Sequence, residues 1–160
     1  LYGYHLPLDA HPECGNNALL ADRIALRERQ PFFIYDGTPI GWVGELPEAT
    51  RPAALAAAYA GMLPTTPRLF GATAQPVKRV AVVSGGGGLD GVVQAAEAGA
   101  ELFITGEMEH VMFHAARELN IGILALGHYA SETVGVKALL RELGAEFGVR
   151  TEFIELPTGL

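Results

Sequence analysis

The chain has 160 residues, 49% of them apolar, which is enough for one ordinary domain with its own core. No stretch approaches the roughly 20 consecutive apolar residues that span a bilayer, so we expect no membrane partner. The formal net charge is −7 and the basic residues are scattered, so we expect no nucleic-acid partner either, because backbone phosphates require a basic patch.

Apolar periodicity and turn residues predict strands and helices in alternation along the chain. In order, the predicted elements are strand 1–5, loop 6–12, helix 16–28, strands 32–35 and 40–46, helix 51–62, strand 77–84, helix 90–98, strand 102–105, helix 108–119, strand 121–126, helix 131–147 and strand 150–155. Asn16 or Asn17 could cap the first helix, and the Gln30–Pro31 step should end it. Asp36-Gly37 predicts a hairpin turn. This order predicts an α/β fold with a mixed, largely parallel sheet flanked by helices.

The start of the chain predicts a fragment. Residues 1–5 already alternate like a strand, and the first residue is not Met, so we expect that earlier strands have been lost. No basic and then apolar leader is visible, and Cys14 is the only cysteine, so an internal disulfide cannot form. We therefore expect a cytoplasmic protein.

The strongest local pattern for chemistry is the hexapeptide 127–132, which follows an apolar strand. Ligands bind at the carboxyl edge of open α/β sheets, and His128 and Glu132 lie there at a spacing that lets both reach one metal ion. The alternative is a histidine packed at a strand end, with Glu132 as a favourable charge at a helix N-terminus. The spacing leaves both interpretations open.

A second pattern surrounds the proline loop at residues 6–12. His5 and Asp9 would present polar groups at the same sheet edge. The Asp9 carboxylate suits a hard divalent ion and could bridge two such ions. Alternatively, Asp9 only caps the turn. His11 precedes Pro12 and is expected to be a surface loop residue.

A third pattern follows the strand at 102–105. Glu107 is placed to hold a metal ligand in position as a supporting carboxylate. His110 and His114 share a helix face at zinc-ligand spacing, but no Glu follows His110 directly, so the metalloprotease pattern is absent. A packing role for these two histidines is the alternative that we prefer.

The glycine run at residues 85–88 follows a strand and invites comparison with phosphate-binding loops. It lacks the Gly-Lys-Ser/Thr ending, so that specific motif is excluded. Its backbone N–H groups could still bind an anion near a helix N-terminus, although a flexible turn between strand and helix is the simpler interpretation. Cys14 has no base beside it and is expected to be inert.

Taken together, five segments resemble one family, and the resemblance covers essentially the whole chain. They are His5-Leu-Pro-Leu-Asp9-Ala, Gly15-Asn16-Asn17-Ala18, Val80-Ala-Val-Val-Ser84-Gly-Gly, Phe103-Ile-Thr105-Gly106-Glu107 and Gly127-His128-Tyr-Ala-Ser-Glu132. They are similar to the Ngg-one-interacting factor three-like family, also called GTP cyclohydrolase I type 2 homologues.

The resemblance implies two divalent metal ions (zinc, manganese or iron) at the carboxyl edge of the sheet. Asp9 takes the position of the ligand that bridges the ions, and His128 and Glu132 take those of two further ligands. His5 takes the position of the histidine that opens the first motif, near the metals. With Glu107 it is our candidate for proton transfer.

The resemblance also implies a ring-shaped, cytoplasmic homohexamer with a two-lobed subunit. Residues 1–30 would end the first lobe, which is incomplete here, and residues 31–160 would form the second. Family members carry a His-His-Pro-like pair of metal ligands upstream of residue 1, and no such pair occurs in this sequence. We expect that the N-terminal third has been lost; a variant that binds metal poorly is the alternative.

These residues predict a metal-dependent hydrolase that acts on a phosphorylated or nucleotide-like small molecule. No residue pattern encodes guanine recognition, so the cyclohydrolase name does not follow from the sequence. The rival prediction is a non-catalytic metal-binding, metal-delivery or regulatory scaffold that acts through the ring and its partners. DNA handling inside the ring is a third hypothesis, which the acidic charge disfavours.

Overall fold

The computed structural model describes residues 3–158, which form one mixed sheet with helices on both faces. The helices are α1 (Leu6–Asp9), α2 (Asn16–Arg23), α3 (Pro52–Ala60), α4 (Gly88–Glu97), α5 (His110–Glu118) and α6 (His128–Phe147). The strands are β1 (Arg27–Tyr35), β2 (Thr38–Thr50), β3 (Arg68–Gly71), β4 (Val77–Val82), β5 (Leu102–Thr105) and β6 (Gly122–Ala125). No helix among these residues is long and apolar enough to cross a bilayer.

The strand order is β1-β2-β4-β5-β6-β3. Strands β4, β5 and β6 run parallel, as expected for strands joined through helices, whereas β1, β2 and β3 add antiparallel pairings. The predicted α/β fold with a mixed sheet flanked by helices is confirmed. The antiparallel share is larger than expected because β2 pairs with β4 and the short strand β3 pairs with β6.

The core has two halves, one on each face of the sheet. Alternation along β4 and the residue after it sends Val80 and Val82 to the face covered by α2, α3 and α6, and sends Ala81 and Val83 to the face covered by α4 and α5. All four side chains are buried. Burial on both faces explains why the central strands are nearly continuous apolar runs.

The predicted hairpin is confirmed. Tyr35 pairs with Thr38, so that Asp36 and Gly37 form a two-residue turn between β1 and β2. Both turn residues have positive φ, at 46° and 76°, as a type I′ turn requires.

The first predicted helix is too long. Helix α2 ends at Arg23, because Ala25 adopts a φ of 51° and the chain then enters β1. Pro31 lies within that strand instead of ending a helix, which is tolerated because β1 is at the edge of the sheet. Strand β1 continues across residues 30 and 31, and the division into two lobes there stays a prediction.

Both ends of the chain differ from expectation. Of the predicted strand 1–5, residues 1 and 2 lie outside the described residues, and residues 3–5 are not in a strand. The predicted loop after it contains α1, whose first turn accommodates Pro7. The predicted strand at 150–155 is wrong, since that segment has no ladder pairing, and β3 was not predicted. The other predicted elements are confirmed, with ends shifted by a few residues.

Candidate metal centre

The exits of the three parallel strands are held side by side. Backbone hydrogen bonds continue beyond the strand ends, from Gly106 N–H to the Gly85 carbonyl at 2.8 Å and from Gly127 N–H to the Gly106 carbonyl at 2.7 Å. Glu107 follows the exit of β5, and His128 begins α6 after β6. Their side chains are therefore fixed at one edge of the sheet, where open α/β folds bind ligands.

Helix α1 brings two of the predicted site residues to the same edge. His5 and Asp9 are separated by one helical turn, so His5 Nε2 lies 3.5 Å from Asp9 Oδ2. The Asp9 side chain is buried, whereas that of His5 is 69% exposed. The short helix, rather than a loop, is what places the imidazole and the carboxylate on one face.

Asp9 is anchored through one of its two oxygens. Asn16 Nδ2 donates to Oδ1 at 2.8 Å, and the Ser84 hydroxyl donates to the same oxygen at 3.3 Å. The Asn16 side-chain oxygen Oδ1 accepts from Gly135 N–H of α6 at 2.7 Å. These contacts fix the carboxylate and leave Oδ2 directed toward His5, where it can serve as a ligand.

The Asn17 side chain links α2 to β2 and to the segment that follows β4. Its Nδ2 donates to the Ile40 carbonyl of β2 at 2.5 Å, and its Oδ1 accepts from Ser84 N–H at 2.5 Å. The prediction that Asn16 or Asn17 caps the helix is wrong, because Gly15 is the N-cap residue and both asparagine side chains bind distant partners. Sequence reasoning missed these supporting roles, although two adjacent asparagines beside a candidate ligand were a signal.

His128 lies between two carboxylates. Its Nδ1 is 3.2 Å from Glu107 Oε1, and its Nε2 is 3.3 Å from Glu132 Oε1, one helical turn along α6. The same Glu132 oxygen lies 3.6 Å from His5 Nε2. The structure thus brings together all five predicted site residues, in the spatial order Glu107, His128, Glu132, His5 and Asp9.

The glycine run allows the backbone to approach these side chains closely. Gly85 has a φ of +61°, and a Cβ atom there would lie 2.2 Å from Glu132 Oε1 and 3.0 Å from His128 Nε2. A Cβ at Gly86 would lie 2.9 Å from Glu107 Oε1. Glycine is required here because any side chain would displace the candidate ligands.

Two backbone N–H groups of the glycine run already donate hydrogen bonds to side chains of the protein. Gly85 N–H donates to the Ser131 hydroxyl at 3.0 Å, and Gly87 N–H donates to the Thr105 hydroxyl at 3.2 Å. These contacts favour the interpretation as a turn between strand and helix over that as a phosphate cradle.

Other histidines lie apart from the cluster. His110 and His114 pack edge to face with their ring centroids 6.4 Å apart. His11 Nδ1 accepts backbone hydrogen bonds from Glu13 and Cys14, which agrees with a loop role.

The donor set fits a divalent ion. One ligand atom each from His5, Asp9 and Glu132 lie within 4.8 Å of one another, which makes the only such group among residues 3–158. Imidazole nitrogen combined with carboxylate oxygen suits zinc, manganese or iron. His128 lies outside that group, but its Nε2 is 3.3 Å from Glu132 Oε1, so a second imidazole flanks the Glu132 carboxylate.

The chain is similar to known proteins along essentially its whole length. The family model described as Duf34/NIF3 (NGG1p interacting factor 3) matches residues 1–158. A relative in Pyrococcus horikoshii, named GTP cyclohydrolase 1 type 2 homolog, is 46% identical over 161 residues, which cover 100% of this chain and 64% of that protein. This chain therefore spans less than two thirds of the length of that relative.

Two solved structures share the fold. A protein named ybgI, of unknown function, is 38% identical with a TM-score of 0.86 over 99% of this chain and 62% of that one. TTHA1606 from Thermus thermophilus is 37% identical with a TM-score of 0.82 over 100% of this chain and 62% of that one.

Proposed function

Because this chain belongs to the Duf34/NIF3 family, we propose that it forms part of a metal-dependent hydrolase acting on a phosphorylated or nucleotide-like small molecule. The observation that carries the proposal is the continuous row of imidazoles and carboxylates from Glu107 to Asp9 at the carboxyl edge of the sheet. A row of this composition matches the ligands of hydrolytic metal centres.

Asp9, His128 and Glu132 are the residues that would hold two divalent ions, with Asp9 shared between them. When bound, such ions supply an activated water and stabilise the charge on a leaving oxygen. Asn16 and Ser84 fix Oδ1 of Asp9 and leave its Oδ2 available to a metal ion. The remaining ligands of a second ion are expected outside the 160 residues.

We propose that Glu107 selects the ligand atom of His128. Nδ1 lies 3.2 Å from Glu107 Oε1 and Nε2 lies 3.3 Å from Glu132 Oε1, so a proton held on Nδ1 would leave Nε2 free to bind an ion. A carboxylate behind a ligating histidine fixes the ring and raises its basicity. This contact supports a positioning role for Glu107 in addition to the proton transfer that we propose for it.

His5 is the group best placed to exchange protons with solvent. Its side chain is 69% exposed, yet Nε2 lies 3.5 Å from Asp9 and 3.6 Å from Glu132. An imidazole in that position can take a proton from the reacting side and release it to water. We propose that role for His5.

Assembly and location belong to the proposal as well. Since the chain spans 64% of the Pyrococcus horikoshii relative, the activity, substrates and partners of the whole protein are proposals. We propose a ring-shaped homohexamer with a small-molecule substrate. We also propose a cytoplasmic location, which the single cysteine suits.

Metal content of the full-length protein, measured by elemental mass spectrometry, tests the ligand set. We expect about two ions per chain and a clear loss in Glu132→Gln. Glu142→Gln is the matched control, because Glu142 is an exposed residue of the same helix. Equal metal content in the two variants would remove Glu132 from the site.

A turnover screen then tests the hydrolase itself. The metal-loaded protein is assayed with manganese, zinc or iron against nucleotides and phosphoesters, with Asp9→Asn as the inactive comparison. We expect turnover by the parent that is lost in the variant. Bound metal without turnover of any substrate would contradict a hydrolase and favour the scaffold hypothesis.

A further inference from the structure

A cavity of about 720 Å³ opens at the carboxyl edge of the sheet beside the metal cluster. Glu107 and Gly127 contribute one side of it, and Arg68, Phe70 and Tyr129 contribute residues that the metal site does not use. A cavity of this volume is in the range that holds nucleotide-sized ligands.

Arg68 brings a positive charge to the cavity wall. Within residues 3–158 its guanidinium makes no ion pair or hydrogen bond with a protein group, and its side chain is exposed. Its Cζ lies 5.1 Å from the centroid of the Phe70 ring, a cation–π contact. A guanidinium without a carboxylate partner is suited to an oxygen-rich anion, which it can bind through two hydrogen bonds.

The register of the sheet sets the distance from Arg68 to the metal cluster. Arg68 pairs with Ala125 of β6, and Ala125 pairs with Thr105 of β5, so the three residues form one row across adjacent strands. Neighbouring strands are about 4.8 Å apart, which puts Arg68 roughly 10 Å from the end of β5. Glu107 follows that end by two residues, so one small molecule can reach both places.

The other walls suit a ligand with a polar end and a flat apolar part. Thr65 and Thr66 line the cavity near Arg68 in the sequence and carry hydroxyl donors. The Tyr129 hydroxyl bonds to Glu155 at 3.2 Å and to Leu156 N–H at 2.9 Å, which fixes its ring. Tyr129 thus provides a fixed aromatic surface against which a base can pack, whereas one face of the Phe70 ring is already covered by Arg68.

We propose that Arg68 binds the phosphate group of a mononucleotide-sized substrate, while the Glu107 side of the cavity holds the group that reacts. This inference rests on the proposed function and assigns the phosphate to the cavity instead of the glycine turn. Two of the N–H groups in that turn already donate to Ser131 and Thr105. Arg68, in contrast, has its full hydrogen-bonding capacity available.

Calorimetric binding to the full-length protein in EDTA tests the proposal, because without metal the phosphate can bind only to protein groups. GMP is the phosphate-bearing probe, and guanosine is the same molecule without phosphate. We expect GMP to bind at least about tenfold more tightly than guanosine, as charged hydrogen bonds to one phosphate allow. Arg68→Gln should remove that preference.

Arg117→Gln is the matched control. Arg117 is also exposed, and its Cζ lies 5.9 Å from the Phe113 ring centroid on α5, but it does not line the cavity. This variant should keep the preference for GMP. Thermal unfolding of both variants checks that each remains folded.

The outcomes separate this inference from the proposed function. Arg68→Gln binding GMP as tightly as the parent protein, or an absence of GMP binding by the parent, would overturn the inference. Arg68-dependent binding of GMP by a protein that, loaded with metal, turns over no substrate would support the binding site and refute the hydrolase. Turnover with unchanged KM in Arg68→Gln would support the hydrolase and refute the role of Arg68.

Discussion

Substitution of Gly85 by alanine distinguishes the requirements of metal binding from those of folding stability. The new Cβ would lie 2.2 Å from Glu132 Oε1, so that oxygen has to move by roughly 1 Å or more to reach an ordinary van der Waals distance. The end of a glutamate side chain can move without unfolding the protein. It would, however, leave its position 3.3 Å from His128 Nε2.

The two expected costs differ in size and in the measurement that detects them. A φ of +61° costs an alanine about 1–2 kcal/mol of folding free energy, because its Cβ crowds the backbone. Metal coordination tolerates errors of only about 0.2 Å, so the displaced carboxylate should lower metal affinity by roughly 10- to 100-fold. Competition with a coloured zinc chelator measures the affinity, and urea unfolding of the metal-free protein measures the stability.

Gly148→Ala is the matched control for backbone strain. Gly148 has a φ of +62° at the C-terminus of α6, and its Cβ would meet no atom within 4 Å. Both variants should lose similar stability, while Gly148→Ala should keep the parent metal affinity. Equal metal affinity in the two variants would refute the argument that the glycine run makes room for the ligands.

Three further predictions concern individual side-chain hydrogen bonds. Asn16→Ala should lower the free energy of unfolding by about 1–3 kcal/mol in urea titrations, because the buried N–H of Gly135 loses its acceptor. Tyr59→Phe should cost about 1–2 kcal/mol by the same assay, since its buried hydroxyl donates to a backbone carbonyl of α2 at 2.7 Å. A hydrogen bond from Lys137 lowers the pKa of the exposed Glu155 carboxyl from its ordinary 4.5. The contribution of this contact to folding stability is therefore present above pH 4.5 and is lost as the pH falls through the lowered pKa. The NMR shifts of residues 153–157 should follow the protonation of Glu155, and Lys137→Met should move the midpoint of that titration to higher pH.

The sequence predicts the central sheet well because its signals are local. Strand 102–105 is predicted with the bounds it has in the structure, since four buried apolar or small residues lie between polar and glycine boundaries. The hairpin at Asp36-Gly37 is equally local, because the turn itself requires positive φ. Periodicity and turn chemistry suffice wherever the deciding contacts lie within a few residues.

Elements that depend on a distant partner were mispredicted. Strand β3 has only four residues and is ordered by pairing with β6, from which more than fifty residues separate it in sequence. The segment 150–155 has strand-like composition, but it is attached to α6 through Glu155 and Lys137 instead of joining a sheet edge. Local composition carries no information about which edge is available.

The candidate site shows the same limit. Asp9, His128 and Glu132 could be selected from their residue types and spacing, but the amides that hold them could not. Asn16 resembles a helix cap in sequence, whereas its Nδ2 donates to Asp9 and its Oδ1 accepts from Gly135, which is 119 residues away. An asparagine at a helix start favours the cap interpretation, and only the fold brings Gly135 beside it.

The bond between Asn16 and α6 has a consequence for how the protein folds. Since its partners are separated by 119 residues, the cluster can assemble only after a large loop has closed, which is a slow and entropically costly event. An ion that binds the assembled cluster and not the open chain therefore opposes separation of α1 from α6, by about 2.7 kcal/mol at a free concentration one hundred times its dissociation constant. A bound metal ion would thus stabilise a contact between two segments that are far apart in sequence.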